Sequence, residues 1–190
     1  MRDDGKDDAM ASEPTAERNL DGYDAPVIPW TRVRDLLAHG VAQITQGPGS
    51  GGPGRHTSWL ATVRADGRPH VMPLGVLWMD GAAYFTAGPT TQKALNLARD
   101  PRCTLTVATE PFDLVVEGEA VRVTDEAVLQ GVAAEYATGG WQTSVRDGAL
   151  YAEYSAPSAG PPPWHVYQVT PTTIYALGTA EPYGATRWRF

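Results

Sequence analysis

The stretch YFTAGPTTQKALNLARDPR, residues 84–102, joins a strand to a helix and sets the arrangement of the elements around it. It opens with aromatic and β-branched residues typical of a strand end, and Gly88-Pro89 then breaks the strand. Thr90 or Thr91 can cap a helix that continues until Pro101. The turn between the two elements is polar and rich in hydroxyl groups, a composition suited to binding an anion.

Lys93 is an unusual residue for its position, because it falls in the first turn of this helix. The free N–H groups there already make the helix end positive, so an added cation is unfavourable by roughly 0.3–1 kcal/mol. A bound phosphate would reverse that sign by accepting hydrogen bonds from the N–H groups, the threonine hydroxyls and Gln92, and by pairing with Lys93. The alternative is a solvated lysine beside ordinary capping threonines.

Length and composition predict one domain, with or without appendages, that can bury a sizeable core without disulfide or metal staples. The single cysteine, Cys103, excludes an intramolecular disulfide. The sequence does not begin with a signal segment and has no apolar run long enough to span a bilayer. We therefore expect a cytoplasmic protein.

The formal charge of −7 is concentrated at one end of the chain. Residues 1–24 hold eight of the 22 acidic residues and three of the 15 basic ones, which leaves the remainder nearly neutral. A nearly neutral body without a basic stripe argues against nucleic acid as a partner. Because residues 1–28 are also poor in large apolar side chains, we expect a disordered or loosely attached arm there and a folded domain over residues 29–190.

Two stretches precede the strands. Residues 29–44 carry apolar residues at helical spacing and predict an amphipathic helix. Residues 47–54, GPGSGGPG, contain a G-x-G-x-x-G pattern, but a dinucleotide fingerprint needs a strand before it and a helix after it. Here a helix precedes the pattern and a strand follows it, so we expect a flexible linker.

From residue 58 the pattern changes to short strands joined by tight turns. Asp66-Gly67 and Asp80-Gly81 are strong hairpin signals, because glycine takes a positive φ without steric cost. The predicted strands cover residues 59–64, 69–79, 82–86, 103–109, 112–123 and 164–177, and a second amphipathic helix covers residues 125–137. This pattern predicts a mainly β fold, a small β-barrel with flanking helices.

The predicted strand that begins at Pro69 differs from the others, because Pro73 and Gly75 also interrupt it. Proline and glycine are unfavourable in a central ladder, so part of this backbone should be unpaired. Its free N–H and C=O groups must then find water or a ligand. A flat heterocycle with an amide edge would satisfy them, and so would solvent at an exposed sheet edge.

A family resemblance rests on the run from residue 59 to residue 107. It follows the order strand, hydroxyl-bearing turn, Lys, Ala, Asn-Leu and Asp-Pro, here Thr86, Thr91, Lys93, Ala94, Asn96-Leu97 and Asp100-Pro101. This order resembles the pyridoxamine 5'-phosphate oxidase-like, FMN-binding split-barrel superfamily, and most closely its flavin/deazaflavin oxidoreductase branch, whose members use FMN or coenzyme F420. The closing ATRWRF, residues 185–190, is similar to the C-terminus of such proteins.

The resemblance implies a split β-barrel that forms a homodimer, with two cofactor sites at the subunit interface. The side chains that would hold the cofactor phosphate are those of Thr86, Thr91, Gln92 and Lys93. The polar edge of the flavin ring would be lined by the backbone of Met72, Pro73 and Leu74. From the tail, Arg187 and Trp188, with Arg189, would either reach the cofactor or form a dimer contact.

The implied activity is hydride transfer between FMN or F420 and a small organic substrate, without a catalytic protein nucleophile or a metal. Vitamin B6 oxidation itself is not favoured, because TRWRF lacks the Arg-x-His element of that enzyme. His70 and His165 lack an acid or nucleophile partner and are interpreted as structural. The alternatives are a barrel that binds or carries a flavin or haem without turnover, and a barrel without cofactor that serves as an interaction module.

Overall fold

The structure, a computed structural model, describes residues 12–38 and 58–190. The helices of the described part are α1 (Trp30–Ala38), α2 (Gln92–Arg99) and α3 (Glu126–Thr138). Its strands are β1 (Ala16–Asn19), β2 (Ser58–Val63), β3 (Pro69–Leu74), β4 (Leu77–Met79), β5 (Ala82–Ala87), β6 (Arg102–Ala108), β7 (Phe112–Arg122), β8 (Ser144–Arg146), β9 (Ala149–Tyr151), β10 (His165–Gly178) and β11 (Ala185–Arg189). The prediction of a mainly β fold with few helices is confirmed.

One antiparallel sheet organises the molecule, in the order β1-β11-β10-β7-β6-β2-β3. The long strand β10 splits it, because residues 165–169 pair with β5 and residues 173–177 pair with β11. At this division the register between β7 and β10 shifts. Gly118 of β7 lies there so close to the Thr170 carbonyl that a Cβ atom would overlap it. The fold therefore needs glycine at this position.

Directly paired residues form rows across seven strands, and neighbouring rows face opposite sides of the sheet. The inner row faces the core and consists of Met72, Leu60, Leu105, Val116, Ile174, Trp188 and Glu17. The outer row consists of Pro73, Trp59, Thr106, Val115, Tyr175, Arg187 and Arg18. These two rows decide which candidate side chains are exposed.

Several boundaries differ from the predictions. The expected arm over residues 1–28 is wrong in part, because β1 pairs with β11 and Ile28 is buried in the core. The strand predicted over residues 69–79 is two strands, since β3 pairs with β2 whereas β4 pairs with β5. The helix predicted over residues 29–44 begins at Trp30, and its end, like the linker at residues 47–54, lies outside the described residues.

Candidate anion site at the start of helix α2

Helix α2 begins without a side-chain cap on its first N–H groups. Thr91 is at the N-cap position, but its hydroxyl donates to the carbonyl oxygen of Gly88, 2.8 Å away, and makes no capping hydrogen bond. The first turn of this helix contains no acidic residue. The backbone N–H groups at residues 92–94 therefore point toward a space in which an anion would be stabilised.

Lys93 adds a positive charge at this place. Its side chain is half-buried, and burial lowers the pKa of its ammonium group. Within residues 12–38 and 58–190, Lys93 forms no ion pair with a carboxylate. A half-buried cation at the positive end of a helix is destabilising unless an anion accompanies it.

A chain of hydrogen bonds connects this first turn to strands β2 and β3. Gln92 Nε2 donates to Asn96 Oδ1 at 2.8 Å, and Asn96 Nδ2 donates to Thr62 Oγ1 at 2.9 Å. Thr62 Oγ1 in turn lies 3.4 Å from His70 Nδ1. Asn96 and Thr62 are each only 2% exposed. Thr62 carries no sequence signal that marks it as a site residue, and Asn96 was named only among the residues that carry the family resemblance.

His70 lies near two basic residues. Burial, then the positive charges of Arg64 and Lys93, hold the pKa of this imidazole below its usual value. The hydrogen-bond chain from Gln92 through Asn96 and Thr62 to His70 connects the start of α2 with the edge strand β3. Arg64, in the same hairpin, and Lys93, on α2, thus both act on His70, although only Lys93 is far from it in sequence.

Thr86 has a different environment from Thr91, Gln92 and Lys93. Its neighbours on the same face of β5, Ala82 and Tyr84, belong to the apolar cluster beneath α3. Burial raises the pKa of Tyr136 on α3, and the Thr86 side chain partly offsets that effect. Thr86 therefore lies on the face of β5 that packs beneath α3, and its contact with a phosphate stays a prediction.

The open edge of β3 presents fewer backbone groups than predicted. In the described part of the chain β3 pairs only with β2. The Arg64 N–H donates to the Arg68 carbonyl at 2.9 Å, and alternation from this pair directs the backbone of residues 70, 72 and 74 toward β2. The groups of β3 that face the open edge are the N–H and carbonyl of Val71 and the carbonyls of Pro69 and Pro73. Val71 was missed by the sequence analysis.

The two C-terminal candidates lie on opposite faces of the sheet. Trp188 is 0% exposed, packs against Trp30 with ring centroids 5.5 Å apart, and donates from Nε1 to Glu17 Oε2 at 2.9 Å. The structure thus places Trp188 in the core, where it has no surface for a ligand. Arg187 lies in the outer row, and its buried Nε finds no hydrogen-bond partner among the described residues.

A groove of about 450 Å³ runs beside α2 toward β7 and β10. The exposed apolar side chains Leu95 and Val121 border it, together with Arg122, His165 and Tyr167. No group of three or more His, Cys, Asp or Glu that could hold a metal ion occurs in the part of the chain that the structure describes. Among the described residues, no helix is long and apolar enough to cross a membrane.

Comparison with known proteins identifies the class. A model of the pyridoxamine 5'-phosphate oxidase family matches residues 53–178, well over half of the chain. The chain therefore belongs to the pyridoxamine 5'-phosphate oxidase family, as the resemblance predicted. No curated protein matches it in sequence.

Solved structures that are similar to this chain include the following three. A conserved hypothetical protein, Rv2991 from Mycobacterium tuberculosis, is 18% identical with a TM-score of 0.54, over 80% of this chain and 86% of that one. A nimC/nimA family protein from Clostridium acetobutylicum is 16% identical with a TM-score of 0.52, over 69% and 82%. An F420 reductase is 23% identical with a TM-score of 0.44, over 63% and 88%. At these identities the likeness to the first two is one of fold.

Proposed function

We propose that this protein is an oxidoreductase that binds the phosphate of FMN, or of the deazaflavin F420, at the start of α2. The observation that carries the proposal is the half-buried Lys93, which stands without a carboxylate partner in the described chain beside an uncapped helix start. Membership of a family named for an oxidase supports it. Together they account for a charge that is otherwise unfavourable.

The residues present fit a phosphate group. Lys93 would supply charge, Gln92 the second N–H of its amide, and residues 92–94 backbone N–H donors. The Thr91 hydroxyl would donate to the phosphate only by leaving the Gly88 carbonyl. The Val71 backbone and the Pro73 carbonyl would meet the polar edge of the ring system. When bound, the flavin or deazaflavin supplies hydride transfer, while the protein anchors the phosphate, orients the ring and shields one face from water.

FMN is the better match to the basic residues near the site. The longer acidic tail of F420 needs further cations, but Arg68 is paired with Asp66 at 2.7 Å and Arg102 with Asp100 at 2.8 Å. Arg99 donates to the carbonyl of Val63 at 2.6 Å. We therefore expect FMN to bind more tightly than F420.

We also propose that the protein forms a homodimer through the outer face of the sheet. Trp59 is 45% exposed in the outer row, and Val71, which is 50% exposed, points to the same side from the adjacent strand. The buried Nε of Arg187 lies in that row without a hydrogen-bond partner among the described residues. A second copy would cover the apolar side chains and bring acceptors to the arginine. In such a dimer, the small-molecule substrate would bind over the flavin or deazaflavin ring, which the protein shields from water on one face.

The decisive experiment is a titration of the full chain with FMN and, separately, with F420, followed by cofactor fluorescence. We expect Lys93→Ala to weaken binding by at least about 1.5 kcal/mol, roughly tenfold, because a charge-assisted hydrogen bond is lost. Arg99→Ala, at the other end of the same helix, is the matched control and should change affinity little. Equal affinities for the wild type and Lys93→Ala would refute the phosphate assignment.

Turnover separates an enzyme from a carrier. The FMN-loaded protein is mixed with a chemical hydride donor, and oxidation of the reduced cofactor is then followed in the presence of candidate acceptors. Substrate-dependent reoxidation supports an oxidoreductase, whereas tight retention without turnover favours the binding-protein alternative. Failure of both cofactors to bind would favour the interaction module.

A further inference from the structure

The hydrogen-bond chain that ends at His70 orients its imidazole. Nδ1 faces Thr62 Oγ1, and Thr62 is itself fixed by the buried amide of Asn96. The other ring nitrogen, Nε2, therefore points away from this series of hydrogen bonds. When the ring is protonated it carries two N–H donors. One can be accepted by the Thr62 hydroxyl oxygen, which leaves the Nε2–H donor without an acceptor in this chain of contacts.

The charges around His70 oppose its protonation. The charged residues that act on it are Arg64, in the turn after β2, and Lys93, on α2, and both are cations. The side chains that link it to α2 by hydrogen bonds, Thr62 and Asn96, are uncharged. An anion placed among Arg64, His70 and Lys93 would reverse the sign of the local potential and favour the imidazolium form.

We propose that His70 is a further binding residue for the phosphate group at the start of α2, to which its protonated ring donates a hydrogen bond from Nε2. This inference rests on the proposed function, because it concerns the same site. It assigns a ligand-binding role to a histidine that the sequence analysis interpreted as structural. Its consequence is that anion binding takes up a proton, so affinity rises as His70 becomes charged.

Inorganic sulfate is the appropriate probe, because its charge does not change over the range in which histidine titrates. The imidazole signals of the full-length protein are followed by NMR against pH, with and without sulfate. We expect sulfate to raise the His70 titration midpoint by about one pH unit, equivalent to roughly tenfold tighter binding to the protonated form. His165 on β10 also has a lowered pKa, caused by burial and Arg122, and is the internal control whose midpoint should stay unchanged.

Two failures can be told apart in this experiment. If sulfate and FMN leave the amide signals of residues 92–94 unchanged, both the phosphate assignment and the role of His70 are refuted. If those signals shift but the His70 midpoint does not, or His165 shifts equally, the role of His70 alone is overturned. The His70→Gln variant should bind sulfate as the wild type does at pH 8 but lose the roughly tenfold gain at lower pH. The His165→Gln variant should retain that gain.

Discussion

The starts of α2 and α3 differ in how their free N–H groups are satisfied. At α3, the Asp125 carboxylate accepts a hydrogen bond from the Val128 N–H at 3.0 Å, and Glu126 adds a negative charge in the first turn. At α2, the Thr91 hydroxyl turns back to Gly88, and the first turn carries Lys93. One helix start is closed by its own residues, whereas the other is left open and positive.

This difference separates two helices of the same chain. The start of α3 has a side-chain cap and a favourable charge, whereas the unfavourable charge at α2 costs roughly 0.3–1 kcal/mol. Departures from good local capping are concentrated at functional sites. We therefore infer that the stability lost at α2 is recovered when an anion binds.

The largest effect is expected from adding a charged side-chain cap at the start of α2. Thr91→Asp should lower FMN affinity by more than about tenfold, because the new carboxylate would accept from the N–H groups and repel the phosphate. Thr91→Asn is the matched control, since it can cap the helix without adding charge and should lose less affinity. Fluorescence titration measures both variants. Unchanged affinity in Thr91→Asp would show that the helix start does not contact the anion.

Removing one charge from each helix start should change stability in opposite directions. Asp125→Ala should lower the free energy of unfolding by about 1 kcal/mol, because a side-chain cap is lost. Lys93→Met keeps the aliphatic stem and should raise it by roughly 0.3–1 kcal/mol in buffer without multivalent anions. Urea unfolding at pH 7 measures both. A destabilised Lys93→Met variant would mean that Lys93 already has a favourable partner.

The smallest effect concerns pH. Burial is the main reason why the pKa values of His70 and His165 are lowered in the folded protein. The unfolded chain therefore binds more protons than the folded chain as pH falls below about 6.5. Stability should therefore be fully present above that pH and decrease below it. Urea midpoints at pH 7.5 and 5.5 measure the decrease, which should be smaller in His70→Gln and in the presence of sulfate. An equal or higher midpoint at pH 5.5 would contradict the lowered pKa values.

The parts of the fold that were predicted correctly are those with local signals. The Asp66-Gly67 and Asp80-Gly81 turns mark the strand ends, and Gly67 and Gly81 do take positive φ. The helix after Thr91 was recognised from its boundary residues, Thr91 and Pro101, although the predicted capping hydrogen bond of the threonine is not formed. The position of this helix next to β2 and β3 was not predicted, because the Asn96–Thr62 hydrogen bond joins residues 34 positions apart.

The misses share a physical cause. β1 is polar and exposed along its whole length, so its sequence carries no strand pattern, and only β11 makes it a strand. Trp188 was named as a cofactor or dimer contact from the family resemblance alone, and its own sequence neighbours do not show which face of the sheet it occupies. Pairing with Ile174 and Glu17 decides the face, and neither partner is a neighbour in sequence.

The position of β11 between β1 and β10 has a consequence for biosynthesis. The hydrogen bond from Trp188 to Glu17 spans 171 residues, and Trp30 needs the same tryptophan as its packing partner. A ribosome must therefore translate almost the whole printed sequence before β1 and α1 can find their places. Contacts of such long separation form late and slowly. Until then the nascent chain exposes Trp30 and the unpaired edge of β10, and this is the interval in which it would most need a chaperone.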